Sequence, residues 1–542
     1  MLHLTLLPSL LLPALAPAPR AVADLSLALP SETLAVLCIG DVGAVFGDES
    51  RPWGRMLADP RWREILADIA GNGGELEDPE VATLLLDSFV ALCADVHAAA
   101  IGFPGQKDES FIAVLSAADG WAARLRASFE ARGVTCEDVE CDAGAAYAFR
   151  PDAESVFFVL QAGDQVHLAL QGDLEAAQDS VSASIARLAE SDSLESPWWN
   201  KMDGRVDDAL FEVMIGTEAF ADIADDAREV LGDLGHIYLS AQLGPEMDAE
   251  FLMSLDFGGS PIMESVASAV VPADTTLLGL LPEGQTGAVF GLDFVRVLDL
   301  VLELAEEENP SARAEYEAAS EAINGLLGID IESDVILNFT GQVLFVQSAD
   351  QVATALGADE DDPLAEEMIP VIAFAVEDTD VLLDALGPLF EMAEGQGLEL
   401  DLTEVDGATL WSFDTGEGYS ASLAVGMGFL MVGTESGVAD FLEGLADRGR
   451  ARALADAVVT QLDSELTGMM VTAMDVAAAI EAMSSLVEGA NALGELQGQA
   501  VPPGLLDSLA AILEVAGDHF SGVLCSVVEL TETRIAYRTL LR

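Results

Sequence analysis

The sequence predicts an α+β protein made of two tandem, diverged copies of one module, each with an antiparallel sheet and helices packed mainly on one face. The chain has 542 residues, which is too long for one ordinary hydrophobic core and suits two lobes. Runs with strand-like alternation, separated by short Gly or Asp turns, are mixed with runs of helical periodicity. Short motifs also recur in both halves. We therefore expect a first module at 24–262 and a second at 263–542.

Motifs near the start of each half indicate the duplication. The segment Leu29–Leu34 (LPSETL) resembles Val271–Leu277 (VPADTTL), and Gly43–Gly47 (GAVFG) is identical to Gly287–Gly291. The two matches have nearly the same spacing along the chain. Because a single repeated motif could arise by chance but two in register are improbable, the pattern favours a true repeat.

The middle of each half aligns without gaps. Gly133–Phe149 matches Gly397–Phe413, and aromatic residues fall at the same places in both segments. The separation between matching segments grows towards the C-terminus. This growth predicts an insertion in the second copy near 489–506, where Gly, Gln and Pro residues are typical of a loop.

The elements of each module follow from the polarity pattern. A strand and an amphipathic helix open the module, two further strands and a helix follow, and a four-strand meander precedes a last helix. In the first copy the predicted strands are Thr33–Ile39, Val96–Ile101, Phe111–Ser116, Val134–Cys141, Ala145–Phe149, Ser155–Leu160 and Val166–Leu170, and the helices are Trp53–Ile69, Gly120–Arg132 and Asp173–Leu188. In the second copy the strands are Thr276–Leu281, Val343–Gln347, Val371–Val376, Leu398–Val405, Thr409–Phe413, Ser420–Val425 and Phe429–Val432, and the helices are Phe294–Leu304, Thr379–Glu394 and Glu435–Leu462.

Acidic residues dominate the charge. The chain has 95 Asp and Glu residues against 22 Lys and Arg residues and a formal net charge of −73, yet 51% of its residues are hydrophobic. Disordered chains combine high charge with low hydrophobicity, so we expect the acid to coat a folded surface. Such a field repels nucleic acids and anionic membrane surfaces. The partners that remain are a protein of unknown identity or an apolar ligand, and no oligomeric state is indicated.

The first 23 residues have the character of a secretory signal peptide. An apolar run begins at Leu4, and Ala21-Val22-Ala23 forms a small-residue cleavage site before Asp24. The segment departs from the usual pattern because it has only His3 where a Lys or Arg is expected. An uncleaved anchor is the alternative, although the run is short and interrupted by proline for a spanning helix. We expect a periplasmic, envelope or extracellular protein.

The cysteines argue against a disulfide framework. The chain has 5 of them, and an odd number in an oxidising compartment leaves at least one unpaired. In the alignment of the two halves, Cys136 and Cys141 stand opposite Leu400 and Val405. Residues that replace aliphatic side chains at strand positions are expected to be buried thiols that act as small hydrophobic side chains.

No catalytic, cofactor-binding or metal-ligating set is predicted. His236 and His519 each precede an apolar alternation at similar places in the two halves, but isolated histidines are more often structural than catalytic. The segment Gly433–Gly437 (GTESG) differs from the G-x-S-x-G nucleophile motif and is better explained as a helix cap. The two histidines are therefore candidates for ligand contact only.

Two further features have a functional and a structural explanation. The adjacent Trp198 and Trp199 could form an exposed contact platform, although aromatic side chains near a helix end usually pack inward. The acidic runs Asp359–Asp362 and Glu366–Glu367 could collect Ca²⁺ through oxygen ligands, but they lack the order of an EF-hand loop and favour a solvated loop.

A family resemblance rests on four segments. Leu29–Leu34, the Trp53–Pro60 helix start, Leu327–Asp334 (LGIDIESD) and Thr340–Val343 together resemble a bacterial family of exported proteins classed as domain-of-unknown-function family 3352. The first copy departs from the family pattern at Ala94-Asp95-Val96. The resemblance implies an envelope or extracellular setting, and it implies no activity and no site residues.

The sequence favours an exported, non-enzymatic protein that binds a partner or an apolar ligand through its duplicated sheet-helix lobes. Duplicated scaffolds without convergent polar groups suit recognition better than turnover. The rival hypothesis is a hydrolase-type enzyme whose site is assembled between the two lobes.

Overall fold

The structure is a computed structural model of the whole chain. It describes residues 33–40, 52–61, 95–103, 110–131, 133–150, 155–189, 209–216, 234–244, 249–281, 285–348, 370–395, 400–414, 420–446, 468–476, 505–519 and 522–541, together with 28–30 and positions 25, 65, 480 and 484. The chain divides into two compact units, unit 1 (Met1–Gly258) and unit 2 (Gly259–Arg542). The segment 1–23, predicted to be a signal peptide, lies outside the described residues.

Unit 1 contains ten strands within the described ranges. They are β1 (Ala35–Ile39), β2 (Val96–Phe103), β3 (Phe111–Ala117), β4 (Glu137–Val139), β5 (Ala145–Phe149), β6 (Val156–Ala162), β7 (Gln165–Gln171), β8 (Phe211–Ile215), β9 (Leu234–Leu243) and β10 (Ala249–Phe257). Neighbours pair antiparallel in the order β4-β5-β6-β7-β3-β2-β1-β8-β9-β10. The helices of this unit are α1 (Pro52–Ala58), α2 (Trp121–Ala131) and α3 (Leu174–Ala189).

Unit 2 also has ten strands in the part of the chain that the structure describes. They are β11 (Gln285–Gly291), β12 (Phe339–Ser348), β13 (Val371–Val376), β14 (Asp401–Val405), β15 (Ala408–Asp414), β16 (Ser420–Gly426), β17 (Phe429–Thr434), β18 (Met470–Asp475), β19 (Val523–Thr531) and β20 (Arg534–Leu541). They pair antiparallel in the order β14-β15-β16-β17-β13-β12-β11-β18-β19-β20.

Six helices of unit 2 lie in the described ranges. They are α4 (Pro261–Ser268), α5 (Phe294–Glu308), α6 (Ala312–Leu327), α7 (Thr379–Gly395), α8 (Glu435–Ala446) and α9 (Leu505–His519). The Ser260 hydroxyl caps α4 by accepting a hydrogen bond from the Met263 N–H. The predicted module boundary between 262 and 263 would cut this helix, whereas the units divide just before its cap. None of the helices in these ranges has the length and apolar character needed to cross a membrane.

Helices cover both faces of each sheet, so the prediction that they pack mainly on one face is wrong. In unit 1, Trp121 of α2 packs in the cluster that contains Val159, whereas Val181 of α3 packs with Phe158. Successive residues of a strand point to opposite faces, so α2 and α3 lie on opposite sides of β6. The uninterrupted apolar run Val156–Leu160 (VFFVL) of β6 is the reason, because both faces of such a strand need cover.

The same arrangement occurs in unit 2. Leu382 of α7 packs with Val425, whereas Phe441 of α8 packs with Ala424, the preceding residue of β16. The two helices therefore lie on opposite faces of that sheet. The mixed α+β class is confirmed, with a large antiparallel sheet as its main feature.

Two predicted elements differ from the structure. Thr276–Leu281 was expected to be a strand, but Thr275–Leu280 forms a 3₁₀ helix because the Asp274 carboxylate accepts the Thr276 N–H and caps its first turn. The strand lies later, at β11. The helix expected over Trp53–Ile69 is interrupted, because proline at position 60 disfavours helical backbone at the residue before it: α1 ends at Ala58, and the described residues 60, 61 and 65 are helical again.

The repeated pentapeptide has a structural role in unit 2. Gly287–Gly291 forms most of β11, and a Cβ at Gly291 would lie 2.0 Å from the Val271 carbonyl oxygen. Only glycine permits this close approach of two backbone segments. The matching Gly43–Gly47 lies outside the described residues, as does the expected insertion at 489–506 apart from its last two residues, which begin α9.

Candidate functional site

The residues singled out from the sequence lie in different settings. Trp198 and Trp199 fall outside the described residues, as do the acidic runs near position 360. His236 is half-buried on β9, and His519 is half-buried as the last residue of α9. The two histidines therefore occupy a strand and a helix end, and the similar placement that the sequence indicated is not found. Their part in ligand contact stays a prediction.

A buried histidine and serine form the pair most similar to a catalytic arrangement. His167 on β7 and Ser184 on α3 are both fully buried, and the His167 Nδ1 lies 3.3 Å from the Ser184 Oγ. Burial lowers the pKa of His167 to about 4, and its Nε2 has no hydrogen-bond partner. A substrate has no access to either group. We therefore interpret the pair as structural.

The thiols of the meander do not form a disulfide. Cys136 is buried and Cys141 is half-buried, and the two residues flank β4 instead of lying within it. Burial raises the pKa of the Cys136 thiol, which keeps it protonated and unreactive. The expectation of reduced thiols thus agrees with the geometry of these two residues. Within the described residues, no three His, Cys, Asp or Glu side chains are grouped closely enough to hold a metal ion.

The segment Leu327–Asp334, one of those that carry the family resemblance, has a structural role in ending one helix and starting the next turn. Gly328 ends α6 in the left-handed conformation, with φ of 74°. Two residues later, Asp330 Oδ1 accepts hydrogen bonds from the Glu332 and Ser333 N–H groups, both at 3.1 Å, and starts a π-helical turn. The Gly and Asp of this motif are therefore explained by capping, and they supply no chemistry.

The strongest candidate for a binding surface is one face of the sheet in unit 1. Strand register places nine side chains in a grid, with three from each of three adjacent strands. They are Phe211, Val213 and Ile215 of β8, Ile237, Leu239 and Ala241 of β9, and Phe251, Met253 and Leu255 of β10. Every member is apolar. We call this grid the open apolar face.

Exposure of the open apolar face increases from β1 towards β10. Leu37 of β1, which pairs with Val213, is only 5% exposed. Val213 and Leu239 are half-buried, whereas Met253 and Phe251 are 49% and 45% exposed. Monomeric proteins rarely expose contiguous apolar patches larger than a few hundred Å², and larger patches usually mark an interaction site.

The opposite face of the same strands is buried and mixed in polarity, because the apolar Met214 and Leu252 lie there beside polar side chains. Tyr238 and Glu212 are each 4% exposed, and the Tyr238 hydroxyl donates a hydrogen bond of 2.8 Å to Glu212 Oε1. Ser240 and Ser254 are buried on this side too. An antiparallel sheet usually has apolar residues inside and polar residues outside, whereas here polar side chains share the buried face and an all-apolar grid lies on the more exposed face. Exposure of that grid to water is unfavourable unless something binds it.

The corresponding strands of unit 2 do not have this apolar surface. Ser526 of β19 lies opposite Thr539 of β20, and their hydroxyl oxygens are 2.9 Å apart. The Tyr537 hydroxyl donates a hydrogen bond to the Ser526 hydroxyl, also at 2.9 Å. These polar groups satisfy one another and leave no apolar grid. The open apolar face is therefore a feature of unit 1, and sequence reasoning missed it because its recognition requires the register of three strands.

Comparisons of the chain with protein-family models, with curated proteins and with solved structures gave no match.

Proposed function

We propose that the protein is an exported, non-enzymatic binding protein, and that its open apolar face binds an apolar ligand or the apolar segment of a partner protein. The observation that carries the proposal is the exposure of Phe251 and Met253 on a surface where every neighbour in register is apolar. A formal net charge of −73 keeps the rest of the surface strongly hydrated. The same field disfavours nucleic acids and anionic lipids as partners.

The proposal includes a duplicated architecture. In each unit, the ten strands of the described ranges pair in the same order, with a helix on each face at the corresponding places. The strand register also supports the duplication. Tyr147 pairs with Val159 in unit 1. Trp411 pairs with Leu423 in unit 2, and the two partners are separated by the same number of residues in both units. The strand order makes β1 of unit 1 the counterpart of β11 of unit 2, however. The pentapeptide Gly287–Gly291 lies within β11, whereas Gly43–Gly47 follows β1 in the chain, so the strand order does not align the two pentapeptides. The duplication thus rests on strand order more than on the pentapeptide.

A binding role is favoured over hydrolysis. The closest approach to a catalytic pair in the described residues, His167 with Ser184, is fully buried. A catalytic nucleophile and its base must reach a substrate. The open apolar face, in contrast, presents contact area and no titratable group, which suits recognition.

The binding proposal predicts a loss of affinity for a neutral apolar probe. The double substitution Phe251→Ser with Met253→Ser is expected to weaken binding of Nile red about tenfold or more, because two half-exposed apolar side chains no longer contact the dye. A fluorescence titration at neutral pH measures the change. A neutral dye is needed because an anionic one would be repelled by the protein.

The matched control removes exposed apolar side chains from unit 2. Val301 and Leu304 on α5 are 55% and 42% exposed, so Val301→Ser with Leu304→Ser removes a comparable amount of apolar surface. This control is expected to bind the dye as the unmodified protein does. Equal losses in the two double variants, or no loss in the first, would contradict binding at the open apolar face.

Export predicts a shortened mature chain. Signal peptidase should cut after Ala23, so intact-mass measurement of the protein recovered from a bacterial envelope fraction is expected to show a chain that begins at Asp24. Ala23→Arg should block the cut and leave residues 1–23 attached. Recovery of the unmodified protein at full length would instead support an uncleaved anchor, and recovery only from the cytoplasm would contradict export.

A further inference from the structure

Strand β14 of unit 2 is an exposed edge strand. Among the described residues it pairs only with β15. Its first four residues, Asp401 to Glu404, are all exposed, and the Leu402 side chain is 63% exposed. Because successive residues of a strand point to opposite faces, solvent reaches β14 from both sides of the sheet. We call this strand the β14 edge.

The backbone of the β14 edge has hydrogen-bonding groups that β15 does not use. In an antiparallel pair only alternate residues exchange hydrogen bonds with the neighbouring strand. The two turn residues of this hairpin have φ of 50° and 85°, as a type I′ turn requires, so Val405 and Ala408 form the closing hydrogen-bonded pair. Leu402 and Glu404 therefore direct their N–H and C=O groups away from β15. Such a row of groups is a template for a further strand.

Unit 1 has a shorter and more highly charged edge at the corresponding place. Strand β4 contains three residues, whereas β14 contains five. Asp138 of β4 pairs with Tyr147 as Leu402 of β14 pairs with Trp411. A carboxylate thus stands in unit 1 where an exposed leucine stands in unit 2. Short edge strands and charged side chains are two of the ways in which proteins prevent the addition of a strand.

A cation also lies beside the edge of unit 1 but not beside that of unit 2. The Arg126 guanidinium forms an ion pair with Asp138 and lies 5.7 Å from the centre of the Tyr147 ring. In unit 2 the Phe390 ring takes this place, with its centre 4.5 Å from that of Trp411. The hairpin of β14 and β15 contains no Lys or Arg. The same fold therefore protects its edge in unit 1 and leaves it open in unit 2.

Charge and polarity determine which kind of strand suits the β14 edge. Asp401 and Glu404 are exposed on opposite faces of the strand. A second copy of this chain, with a formal net charge of −73, would be repelled by them. Leu402 shares a face with Trp411, so an apolar side chain opposite Leu402 would continue an apolar layer. Basic side chains on either side of that residue would lie opposite the two carboxylates.

We propose that the β14 edge binds an extended, basic segment of a partner protein, which adds to the sheet of unit 2 as a further strand. Hydrogen bonds to the backbone of Leu402 and Glu404 hold the segment, and the side chains of β14 select its sequence. The assignment follows from the outward backbone groups, the exposed leucine and the contrast with the protected edge of unit 1. It does not depend on the open apolar face, which lies in unit 1.

The probe is the peptide acetyl-TTKTIKT-amide, whose single isoleucine and two lysines match Leu402 and the two carboxylates in antiparallel register. Calorimetry on the full chain at physiological salt is expected to detect saturable binding. The analogue with glutamate in place of both lysines should not bind. Absence of binding by the lysine peptide, or equal binding by the two peptides, would overturn the proposal.

Backbone methylation distinguishes an added strand from general attraction to an acidic protein. Two versions of the lysine peptide carry N-methyl groups on alternate residues, one set being the complement of the other. An added strand uses the N–H groups of only one of its sides to pair with β14. One version should therefore bind tenfold or more weakly, and the other should bind as the unmodified peptide does. Equal affinities of the two versions would contradict strand addition.

The exposed leucine supplies a variant with a matched control. Leu402→Ser should weaken binding of the lysine peptide about fivefold, because a cross-strand apolar contact is lost. Leu326 on α6 is 73% exposed, so Leu326→Ser makes the same change elsewhere in unit 2 and should leave the affinity unchanged. Equal losses in the two variants, or no loss in the first, would place the peptide away from the β14 edge.

The two carboxylates of the edge are tested in the same way. Asp401→Asn with Glu404→Gln should weaken binding about fivefold, since each exposed ion pair contributes a few-fold at most. Glu140→Gln with Asp142→Asn removes the same charge from the hairpin of unit 1 and should change nothing. Equal effects of the two double variants would show that only the overall charge attracts the peptide, which would overturn the proposal.

Hydrogen exchange keeps this proposal distinct from binding at the open apolar face. The lysine peptide should slow exchange in β14 and leave β8, β9 and β10 unchanged, because an added strand protects the amides with which it pairs. Phe251→Ser with Met253→Ser should bind the peptide as the unmodified protein does. Protection of β8 to β10 in place of β14, or loss of binding in that double variant, would assign the peptide to the open apolar face and overturn the edge proposal alone.

Discussion

Phe441→Ala is expected to lower the free energy of unfolding of unit 2 by about 3–5 kcal/mol, because it removes a large side chain from a rigid core and leaves a cavity. Phe441 is fully buried on α8 and packs in one cluster with Met431 and Ala424 of the sheet. Its ring also makes an edge contact with Phe429, with the centres 6.3 Å apart. The strand β17 beneath α8 is hydrogen-bonded to β13 on one side and to β16 on the other, so it cannot easily move to fill the cavity.

Hydrogen exchange followed by mass spectrometry can locate this effect. Peptides from β16, β17 and α8 should exchange faster in the Phe441→Ala protein, whereas peptides from β6, β7 and α3 of unit 1 should exchange as before. The matched control is Glu443→Ala, an exposed residue on the same helix, which should change stability by less than about 0.5 kcal/mol. Faster exchange in both units would mean that they unfold as one, contrary to their division into separate cores.

Local patterns in the sequence were enough to predict the meanders. The bounds of the meander strand β5 (Ala145–Phe149) are predicted without error, as are those of β13 (Val371–Val376) before the second meander, and the other meander strands differ by a few residues at their ends. Glycine turns and alternating polarity are local signals, so they can be recognised without knowledge of the fold. The order of strands across the sheet, in contrast to the bounds of single strands, depends on contacts between distant parts of the chain. The pairing of β3 with β7 and of β1 with β8 joins distant segments, and no local signal predicts it.

Burial on both faces was the main feature of the fold that the prediction missed. The sequence predicts a strand at Ser155–Leu160, and the unbroken apolar run Val156–Leu160 within it also means that each face needs a cover. The length of that run favours helices on both sides of the sheet. The 3₁₀ helix at Thr275–Leu280 is a different case, because a single Asp cap decides between two backbone forms of the same apolar residues.

The candidate site could not be predicted from the sequence for a physical reason. Alternation on β10 indicates which residues share a face, but by convention the apolar set is assigned to the interior. Here the buried face includes polar side chains beside apolar ones, since Tyr238 and Glu212 hydrogen-bond each other and so can be buried. The apolar set, with Phe251 and Met253, remains open. Only the tertiary structure distinguishes these two assignments.

Protonation of His167 is expected to destabilise unit 1 by about 3 kcal/mol between neutral pH and pH 4. Burial lowers the pKa of His167 to about 4 in the folded chain, against an ordinary value of 6.5. The unfolded chain binds the proton more readily than the folded chain does. The contribution of neutral His167 to the free energy of unfolding is therefore fully present above about pH 6.5. It is lost as the pH falls from 6.5 to about 4, and no further loss follows below that.

The residue at the corresponding position of unit 2 provides a suitable variant for testing this prediction. Met431 is fully buried and pairs with Ala373 on β13, as His167 pairs with Val114 on β3. His167→Met therefore places an apolar, adaptable side chain at a position where the same fold already accepts it. The difference in unfolding free energy between the His167→Met protein and the unmodified protein should increase by about 3 kcal/mol in favour of the variant as the pH falls from 6.5 to 4.

The comparison at each pH cancels the titration of the many carboxylates, which both proteins share. The NMR titration of the His167 ring gives an independent measurement, since its folded-state pKa should lie near 4 and its signal should be absent in the variant. The companion substitution Ser184→Ala removes the only described hydrogen-bond partner of the ring and should lower that pKa further, because a buried cation would then lose its acceptor. A stability difference that is independent of pH would show that His167 is protonated equally in both states, and therefore that it is not held neutral by the core.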